Sequence, residues 1–466
     1  MSSLQKTHFK KILITPRSKI SALSTVDKAV ESLDITPAVV SFDYYEDILS
    51  AAITVDLKIS NTSALYSLVP IRGGERVDLV IGTAYGDITF GEEDKNELYV
   101  LGIEGLTQNE GQEIFTLKLC TLGNLTNETA RCQVRFPKRP ISSHIRTILE
   151  QVMEIKPERI ALIEDSTTSY GFIGNNRKPF YTCTWLCPKA IPSTEGVKGD
   201  AGNEAKGTAG FCFYENYDGY NFRSVDRMVD ATQVEYPDDT TIDKLASEYG
   251  VETYTFSSVI STDSSDNEKQ IIHAFTDKTT NLQKNLRVGL YSNLTYFYNP
   301  LDWKVKAIQY NLKKEIDEAN VKTAGDSVTI PEGDVTKYAS RLLVRVGDSG
   351  MWDKIEGEFR NTSEEESEGS GRTPSDMAKS FSRYSLLFQQ SLNIVIPCNI
   401  NLRVGKPIRL IFPQTGPNES EGSSYKRADQ NISGFYLIRS LRHHFNLNEG
   451  QNITSLNLVR DSYGIQ

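Results

Sequence analysis

The chain lacks any long apolar run. Among its 466 residues no stretch approaches the roughly 18 apolar residues that a membrane-spanning helix needs. Near the amino terminus, the apolar patch Ile12–Ile14 is too short for the hydrophobic core of a signal peptide. We therefore expect a protein that is made and kept in a cytoplasm and that does not bind membranes by itself.

Positive charge is also scarce, because 51 Lys and Arg residues stand against 61 Asp and Glu residues and leave a formal net charge of -10. Clustered cations are what bind a phosphate backbone, so this composition argues against broad nucleic-acid binding and predicts no specific nucleic-acid partner. The six cysteines are scattered over the chain. That spacing does not fit a disulfide framework, and we expect free thiols.

Recognisable catalytic and metal-binding motifs are missing as well. The sequence has no phosphate-binding glycine loop, no nucleophile elbow and no zinc-protease helix motif. Cys183, Cys187 and Cys212 form the one cluster with metal-like spacing, but a second pair is missing. The five histidines, none in a recognisable catalytic setting, are His8, His144, His273, His443 and His444. We predict no catalytic, cofactor-binding or metal-binding residues and no enzymatic activity.

Strict alternation of apolar and polar residues is the main pattern that is present. It begins with Ile53, Val55, Leu57 and Ile59, which predicts a strand with one buried face. The same period recurs in Phe115 to Leu119, Leu342 to Val346, Ile400 to Val404 and Ile408 to Phe412. Both ends of the chain are therefore predicted to be β-structure.

Helical patterns are fewer and lie between those ends. Ser143 is followed by apolar residues at Ile145, Ile148, Leu149, Val152 and Met153, a spacing that predicts a helix capped by Ser143. A weaker pattern predicts a second helix over about 242–249. The region between about 140 and 320 is thus predicted to mix α and β elements.

The length of the chain exceeds what one hydrophobic core usually organises, so we predict a β-rich α+β multidomain protein. The predicted division is 1–138 as a first β domain, 139–206 with 236–315 as a mixed α/β insertion region, and 207–235 with 316–466 as a second β domain. Three polar stretches, 191–207, 361–376 and 414–430, are predicted to be long loops. The acidic run in the second of them is interpreted as a solvated insertion, with a cation or partner site as the alternative.

An internal similarity links the two ends. Gly73-Gly74 precedes an alternating strand and then a hairpin, and so does Gly405. The hairpin turn Asn109–Gln112 repeats as Asn448–Gln451, after which Ile114, Leu117 and Leu119 match Ile453, Leu456 and Leu458. Duplication predicts equivalent hairpins in two related units, and shared turn chemistry is the alternative. Three such chains in a ring would present six similar units to a sixfold partner.

Several motifs, taken in order, resemble the baseplate hub protein of contractile-tailed bacteriophages and the hub part of type VI secretion spike proteins. The segments that carry the resemblance are Phe42–Ile48, Leu68–Val77, Pro179–Phe180 with Trp185–Leu186, Phe213–Asp226 and Phe435–Ser462. The resemblance implies two similar tube-type β-barrel domains, over 1–138 and over 207–235 with 316–466, and smaller α/β insertion domains. It also implies a homotrimer that forms a pseudo-sixfold ring.

The same resemblance implies a place and a set of partners. The place is the baseplate of a virion tail, assembled in the host cytoplasm. The partners are a central spike protein, which in this family often carries a lysozyme, tail tube or tube-initiator proteins, and a tape-measure protein. Two other classes stay open: a tail-associated enzyme that degrades cell walls, with its site between about 140 and 320, and a β-rich receptor-binding tail protein.

Overall fold

A computed structural model describes most of the chain. The described residues are 8–15, 32–62, 71–83, 85–91, 96–109, 111–193, 210–230, 251–256, 268–300, 303, 305–317, 323–324, 328, 330–331, 334–347, 354–355, 358–359, 373–414, 428–429, 431–447 and 452–463. The helix predicted over 242–249, the turn at 448–451 and most of the three polar stretches lie outside them. These predictions therefore stay predictions.

Strands dominate the described residues, as the alternating patterns predict. The strands are β1 His8–Thr15, β2 Leu33–Asp34, β3 Val39–Asp47, β4 Thr54–Asn61, β5 Arg76–Thr83, β6 Gly86–Phe90, β7 Leu98–Asn109, β8 Gln112–Thr121, β9 Arg135–Pro140, β10 Ile160–Ile163, β11 Ser169–Ile173, β12 Phe211–Asn216, β13 Gly219–Ser224, β14 Glu252–Thr255, β15 His273–Lys278, β16 Ser292–Tyr298, β17 Val305–Asn311, β18 Arg341–Val346, β19 Lys354–Ile355, β20 Glu358–Phe359, β21 Gln390–Pro397, β22 Pro407–Ile411, β23 Gly434–Asn446 and β24 Asn452–Arg460. The protein is therefore β-rich, as expected.

Helices are short and lie mostly between the terminal strands. They are α1 Leu122–Thr129, α2 Ile141–Thr147, α3 Pro179–Leu186, α4 Val225–Asp230, α5 Leu282–Val288, α6 Leu312–Asp317 and α7 Thr373–Leu387. A π-helical turn, Ile148–Val152, follows α2, and 3-10 turns occur at Thr36–Ala38, Pro157–Arg159, Cys187–Lys189 and Asp334–Thr336.

One fourteen-stranded sheet joins the two ends of the chain. Its order is β15-β21-β24-β23-β3-β4-β8-β7-β5-β1-β2, with β6 also on β5 and β14 on β22. The apolar face of this sheet forms the largest core, in which Val55, Leu57, Leu117 and Leu458 are fully buried. Burial on alternate positions explains why the period of two is so clear in these strands.

Two sets of five strands within this sheet share one topology. The first unit has the order β3-β4-β8-β7-β5, and the second unit has the order β15-β21-β24-β23-β22. When the five strands of each unit are numbered along the chain, both units have the sheet order first, second, fifth, fourth, third. All neighbouring strands are antiparallel. The hairpins β7–β8 and β23–β24 are therefore equivalent, as the sequence similarity predicts.

The register of the two units also agrees. Leu117 lies opposite Leu57 in the first unit, and Leu456 lies opposite Ile394 in the second. The Gly74 N–H donates to the carbonyl of Val100 at 2.7 Å, and the Gly405 N–H donates to the carbonyl of Ile438 at 2.9 Å. Both glycines have positive φ, 86° and 77°, a backbone conformation that glycine adopts without a steric penalty.

The remaining described strands form smaller sheets. The hairpin β12–β13 pairs with β10, β11 pairs with β9, and β16 lies between β17 and β18. A second core packs α2 and α3 against the β12–β13 hairpin, which we call the junction hairpin. Gly219 at its turn has a φ of 133°, a backbone conformation that favours glycine. Tyr214 is buried in the largest core, and Tyr220 and Phe222 are buried in the second core.

Two local predictions were wrong in detail. The helix predicted after Ser143 begins at Ile141, because the Ile141 N–H donates to the Thr168 carbonyl and the Ser142 N–H to Ser166 Oγ, so no Ser143 cap is needed. Residues 400–404 form turns and no strand, since Asn399 Oδ1 accepts the Asn401 N–H at 3.0 Å. Their apolar side chains are nevertheless buried.

The alternating segment Leu342 to Val346 is a strand, β18, but its apolar row is not buried. Leu342, Val344 and Val346 are 59%, 68% and 70% exposed. Among the described strands β18 pairs only with β16, at the edge of their sheet, and nothing in the described part of the chain covers this row. The predicted burial of that face was therefore wrong for the described residues.

Candidate functional site at the seam between the two units

The two units meet where β3 pairs with the second half of β23, and we call this pairing the seam. It runs antiparallel from Ser440 opposite Asp47 to Asn446 opposite Ser41. A strand from near the start of the chain is thereby hydrogen-bonded to one from near its end. The seam makes the two units one continuous sheet.

Aromatic contacts fill the core face of the seam. The rings of Phe42 and Phe445 lie 5.8 Å apart, and Tyr44 stacks on His443 at 5.8 Å. His443 is buried, and its Nδ1 lies 2.8 Å from Thr454 Oγ1. Burial, followed by the nearby Arg403 charge, lowers the pKa of His443 to about 3. The imidazole is therefore neutral at physiological pH and acts as part of the core.

Charged groups hold the opposite face of the seam. Arg442 Nε donates to Asp43 Oδ1 at 2.8 Å, and His444 Nδ1 lies 2.6 Å from the same oxygen. His443 and His444 thus point to opposite faces, as their adjacency on a strand predicts. Asp43 belongs to the first unit and both partners to the second, so this cluster contributes to the choice of register.

Glu46 connects three parts of the fold from within the seam. Its carboxylate accepts the Tyr44 hydroxyl at 2.5 Å, the Tyr217 N–H at 2.7 Å and the Val404 N–H at 3.1 Å. Tyr217 lies on the junction hairpin and Val404 just before β22. Burial raises the pKa of Glu46 above its usual value, while Arg403 and these donors oppose the rise. The buried Glu46 carboxylate thus joins the first unit to the second unit and to the junction hairpin.

A second buried carboxylate, Glu215, fixes the junction hairpin. It accepts the Ile53 N–H at 3.1 Å and the Thr121 hydroxyl at 2.6 Å, both in the first unit. Arg159 Nη2 donates to it at 2.7 Å, and the guanidinium also donates to Asn96. Because every partner is buried or half-buried, removing one member leaves an uncompensated charge. The arrangement is a structural anchor.

A groove crosses the seam on the face opposite the core. It has a volume of about 1090 Å³ and extends from β7, β8 and β4 across β3 and β23 to β24, β21 and β15. Its lining includes Asp56, Lys118, Arg442, Asn457 and Phe275. Lys118 Nζ donates to Asp56 Oδ2 at 2.7 Å, so charges within the groove are paired. The groove offers a polar, extended surface shared by both units.

The residues considered for catalysis and metal binding are spread over several elements. His8, His144 and His273 lie on separate elements, and the His144 Nε2 is 2.6 Å from the Tyr170 carbonyl in the second core. Cys183, Cys187 and Cys212 are buried free thiols, and burial raises the pKa of Cys212 to about 12. In the described ranges no three His, Cys, Asp or Glu side chains are grouped to hold a metal ion.

No helix in the described ranges is both long enough and apolar enough to cross a membrane.

Glu46, Glu215 and Arg159 were not identified from the sequence. Glu46 occupies an inward position of the alternating β3, next to Phe42 and Tyr44, and a carboxylate at such a position indicates a buried partner. That signal was available. Glu215 and Arg159 carry no comparable signal, because their partners come from remote segments.

Comparisons with known proteins give similarity in structure only. No protein-family model matches the chain, and no curated protein matches it. It is similar to the 43 kDa tail protein of prophage MuSo2 from Shewanella oneidensis, with a TM-score of 0.49, 10% identity and coverage of 97% of this chain and 99% of that one. The tail protein from Neisseria meningitidis MC58 has a TM-score of 0.47 and 10% identity, with 92% and 94% covered.

The E. coli c3393 protein, a component of the type VI secretion system, has a TM-score of 0.41 and 9% identity, with 92% of this chain and 76% of that chain covered. These three solved structures are two tail proteins and a component of a secretion system.

Proposed function

We propose that the chain is a structural hub of a contractile-tail baseplate, in which three copies form a ring that joins the tail tube to the central spike. The observation that carries this proposal is the pair of five-stranded units with one strand order, joined through the seam. Two similar units per chain turn threefold symmetry into pseudo-sixfold symmetry. A hub of this kind adapts a sixfold tube to a threefold spike.

Each unit is proposed to be a tube-type β-barrel domain. This proposal is supported by additional strands at the outer edge of each unit. β1 and β6 pair with β5 in the first unit, and β14 pairs with β22 in the second. The division at 1–138, 139–206 with 236–315, and 207–235 with 316–466 remains part of the proposal. The α/β insertion elements are placed outside the ring.

A structural rather than catalytic role is supported by the buried carboxylates. Glu46 and Glu215 are surrounded by donors from the backbone, hydroxyls and Arg159. Glu164, in the mixed region, accepts the Ser224 N–H and hydroxyl, both at 2.8 Å. Each of these groups holds elements together. General acid–base catalysis needs a group within reach of a substrate proton, and these side chains are enclosed.

The proposed partners are the central spike protein, tail tube or tube-initiator proteins and a tape-measure protein, in a virion tail assembled in the host cytoplasm. The decisive experiment measures the mass of the purified chain by analytical ultracentrifugation, alone and mixed with the spike protein of the same tail. We expect trimers, and electron micrographs of rings with six similar lobes. A chain that stays monomeric in both mixtures contradicts the proposal.

A peptidoglycan turnover assay on the same preparation addresses the rival class. We expect no turnover. If the chain turns over peptidoglycan, and Glu164→Gln abolishes this activity while its circular dichroism spectrum shows an intact fold, the chain is a wall-degrading enzyme and the hub proposal is wrong. Glu158→Gln, on the surface of the same region, is the matched control.

A further inference from the structure

The region around the second core contains two long segments without an acidic residue. Residues 129–149 and 166–193, which include β9, α2, β11 and α3, hold eight Lys and Arg residues and no Asp or Glu. Acidic residues make up 61 of the 466 in the chain, and at that frequency these segments would contain about six. A chain with a net charge of -10 thus carries a strongly basic region.

Three arginines of this region lie at its surface without a carboxylate partner among the described residues. Arg135 and Arg139 are exposed on β9, and Arg177 is half-buried before α3. The Arg177 guanidinium lies 4.8 Å from the ring centroid of Trp185 and 5.6 Å from that of Tyr181. Contacts with aromatic rings hold a guanidinium in place and leave its N–H groups able to donate to a carboxylate.

The backbone places these arginines along one strand path. Arg135 lies opposite Ile173 in the pairing of β9 with β11, and a single β-bridge joins Cys132 to Arg177. Arg139 follows four residues after Arg135. Since a strand rises about 3.3 Å per residue, the path from the bridge to Arg139 is about 20 Å long. This length suits an extended segment of about six residues.

Exposed apolar side chains accompany the arginines. Val134, Ile173 and Tyr181 are 53%, 60% and 55% exposed. Val134 precedes Arg135, Ile173 lies opposite it, and the Tyr181 ring contacts Arg177. Arginine and aromatic residues are enriched in protein–protein interfaces, where they contribute much of the binding energy. We call the three arginines together with these three apolar side chains the basic face.

We propose that the basic face binds an acidic segment of a partner protein through its side chains. Guanidinium groups form bidentate hydrogen bonds with carboxylates, and the exposed apolar side chains can contact apolar residues between those carboxylates. Pro137 and Pro140 lack N–H groups, which disfavours the addition of a partner strand to β9. This inference goes beyond the proposed hub and does not depend on it.

A nucleic acid fits the basic face less well than an acidic polypeptide does. Tight binding of a phosphate backbone draws on roughly 6–10 phosphate contacts, whereas the face offers three arginines. The exposed apolar side chains have no role in contacts with phosphates. The excess of acidic residues elsewhere in the chain also repels a long polyanion.

Two synthetic polymers probe the basic face on the full chain. Labelled poly(Glu,Tyr), a random copolymer, offers carboxylates and aromatic rings, and labelled poly-Glu with the same number of carboxylates offers charge alone. Binding is measured by fluorescence anisotropy at low salt and at about 0.15 M salt. We expect the copolymer to bind more tightly than poly-Glu, because its rings contact the apolar side chains of the face, and both to weaken as salt rises.

A triple variant tests the three arginines. Arg135→Gln, Arg139→Gln and Arg177→Gln together should weaken copolymer binding by about tenfold or more. If circular dichroism shows that the triple variant does not fold, the double variant Arg135→Gln with Arg139→Gln replaces it, since those two side chains are exposed.

A matched control removes three exposed cations elsewhere and changes the net charge by the same amount. It should bind the copolymer within about twofold of wild type. The control substitutions are Arg72→Gln, Lys284→Gln and Arg287→Gln.

The apolar part of the face is tested by Val134→Ser with Ile173→Ser. This variant keeps all three arginines, so its affinity for poly-Glu should stay as in wild type. Its preference for the copolymer over poly-Glu should shrink, because two apolar contacts are lost. An unchanged preference shows that the apolar side chains take no part and overturns that element of the proposal.

The remaining outcomes decide between the basic face and general charge attraction. Selective loss of copolymer binding in the triple variant supports the proposal. Equal loss in the triple variant and in the matched control, or no binding of the copolymer to wild type at low salt, overturns it. Labelled oligothymidine with the same number of charges is measured in parallel. If it binds more tightly than the copolymer and depends on the same arginines, the face is a nucleic-acid site and the proposal is wrong.

Discussion

Lowering the pH from about 7 to about 5 is expected to destabilise the fold through His443 at the seam. Burial and the Arg403 charge lower its pKa from 6.5 to about 3. The unfolded chain therefore takes up a proton near pH 6.5, and the folded chain does so only near pH 3. The contribution of neutral His443 is complete above pH 6.5 and is lost progressively as the pH falls toward 3.

The size of the effect follows from the proton linkage. At pH 5 the distance from the unfolded-state pKa is about 1.5 units, which at roughly 1.36 kcal/mol per unit corresponds to about 2 kcal/mol. With about 2.1 cal/mol/K of unfolding entropy per residue over 466 residues, the expected loss in Tm is about 2 °C if the whole chain unfolds at once. A smaller cooperative unit gives a larger loss.

Neighbouring groups determine how the experiment must be designed. Tyr44 stacks on His443, and Thr454 is bonded to it. Burial raises the pKa of Glu46, so the folded chain protonates this carboxyl at a higher pH than the unfolded chain does, and its contribution grows as the pH falls. The two effects oppose each other. The informative quantity is therefore the difference between the wild type and a variant that lacks only the imidazole.

His443→Asn is that variant, because its amide keeps a polar atom near Thr454. Thermal unfolding is measured at both pH values for wild type, His443→Asn and the exposed control His8→Asn. We expect the acid-induced loss to shrink by about 2 kcal/mol in His443→Asn and to stay as in wild type in His8→Asn. If His443→Asn loses as much stability as the wild type between these pH values, the assignment of a strongly lowered pKa is refuted.

Two further pairs of variants test the buried anchors by thermal unfolding. Glu215→Gln leaves a buried guanidinium without its charge partner and should cost about 3–5 kcal/mol. Lys10→Gln breaks an ion pair whose side chains are 44% and 37% exposed and should cost less than about 1 kcal/mol, so equal losses contradict the anchor. Gly405→Ala places a Cβ against the Tyr214 hydroxyl, whereas the Cβ added in Gly86→Ala has no atom within 4 Å. Gly405→Ala should therefore destabilise the fold by roughly 1–3 kcal/mol more than Gly86→Ala. A smaller loss in Gly405→Ala would show that Tyr214 moves freely.

Alternation made much of the main sheet predictable, because a period of two fixes both the strand and its buried face. β4, β8 and β22 lie where the patterns of Ile53 to Ile59, Phe115 to Leu119 and Ile408 to Phe412 place them. The same period failed at residues 400–404, where the side chain of Asn399 bends the chain into turns. Local pattern does not reveal such side-chain competition with the strand.

The seam itself was beyond the reach of local patterns. β3 and β23 each have the pattern of an ordinary half-buried strand. Neither pattern indicates that the two strands are neighbours. The sequence similarity between the hairpins did predict that they are equivalent, since both have the same apolar phase and the same turn residues. The partners of Glu46 and Glu215 come from segments far apart in sequence, so only the assembled fold identifies them.

The seam also has a consequence for biosynthesis. Arg442 and Asp43, which are paired across it, are separated by 399 residues. The segment between them must be synthesised before β23 reaches β3, although the strands of the first unit emerge early. During that interval β3 is an uncovered edge on a nascent chain, and neighbouring nascent chains on one messenger present the same edge to each other. The large sequence separation of the two strands therefore lengthens the interval in which this edge is open to aggregation.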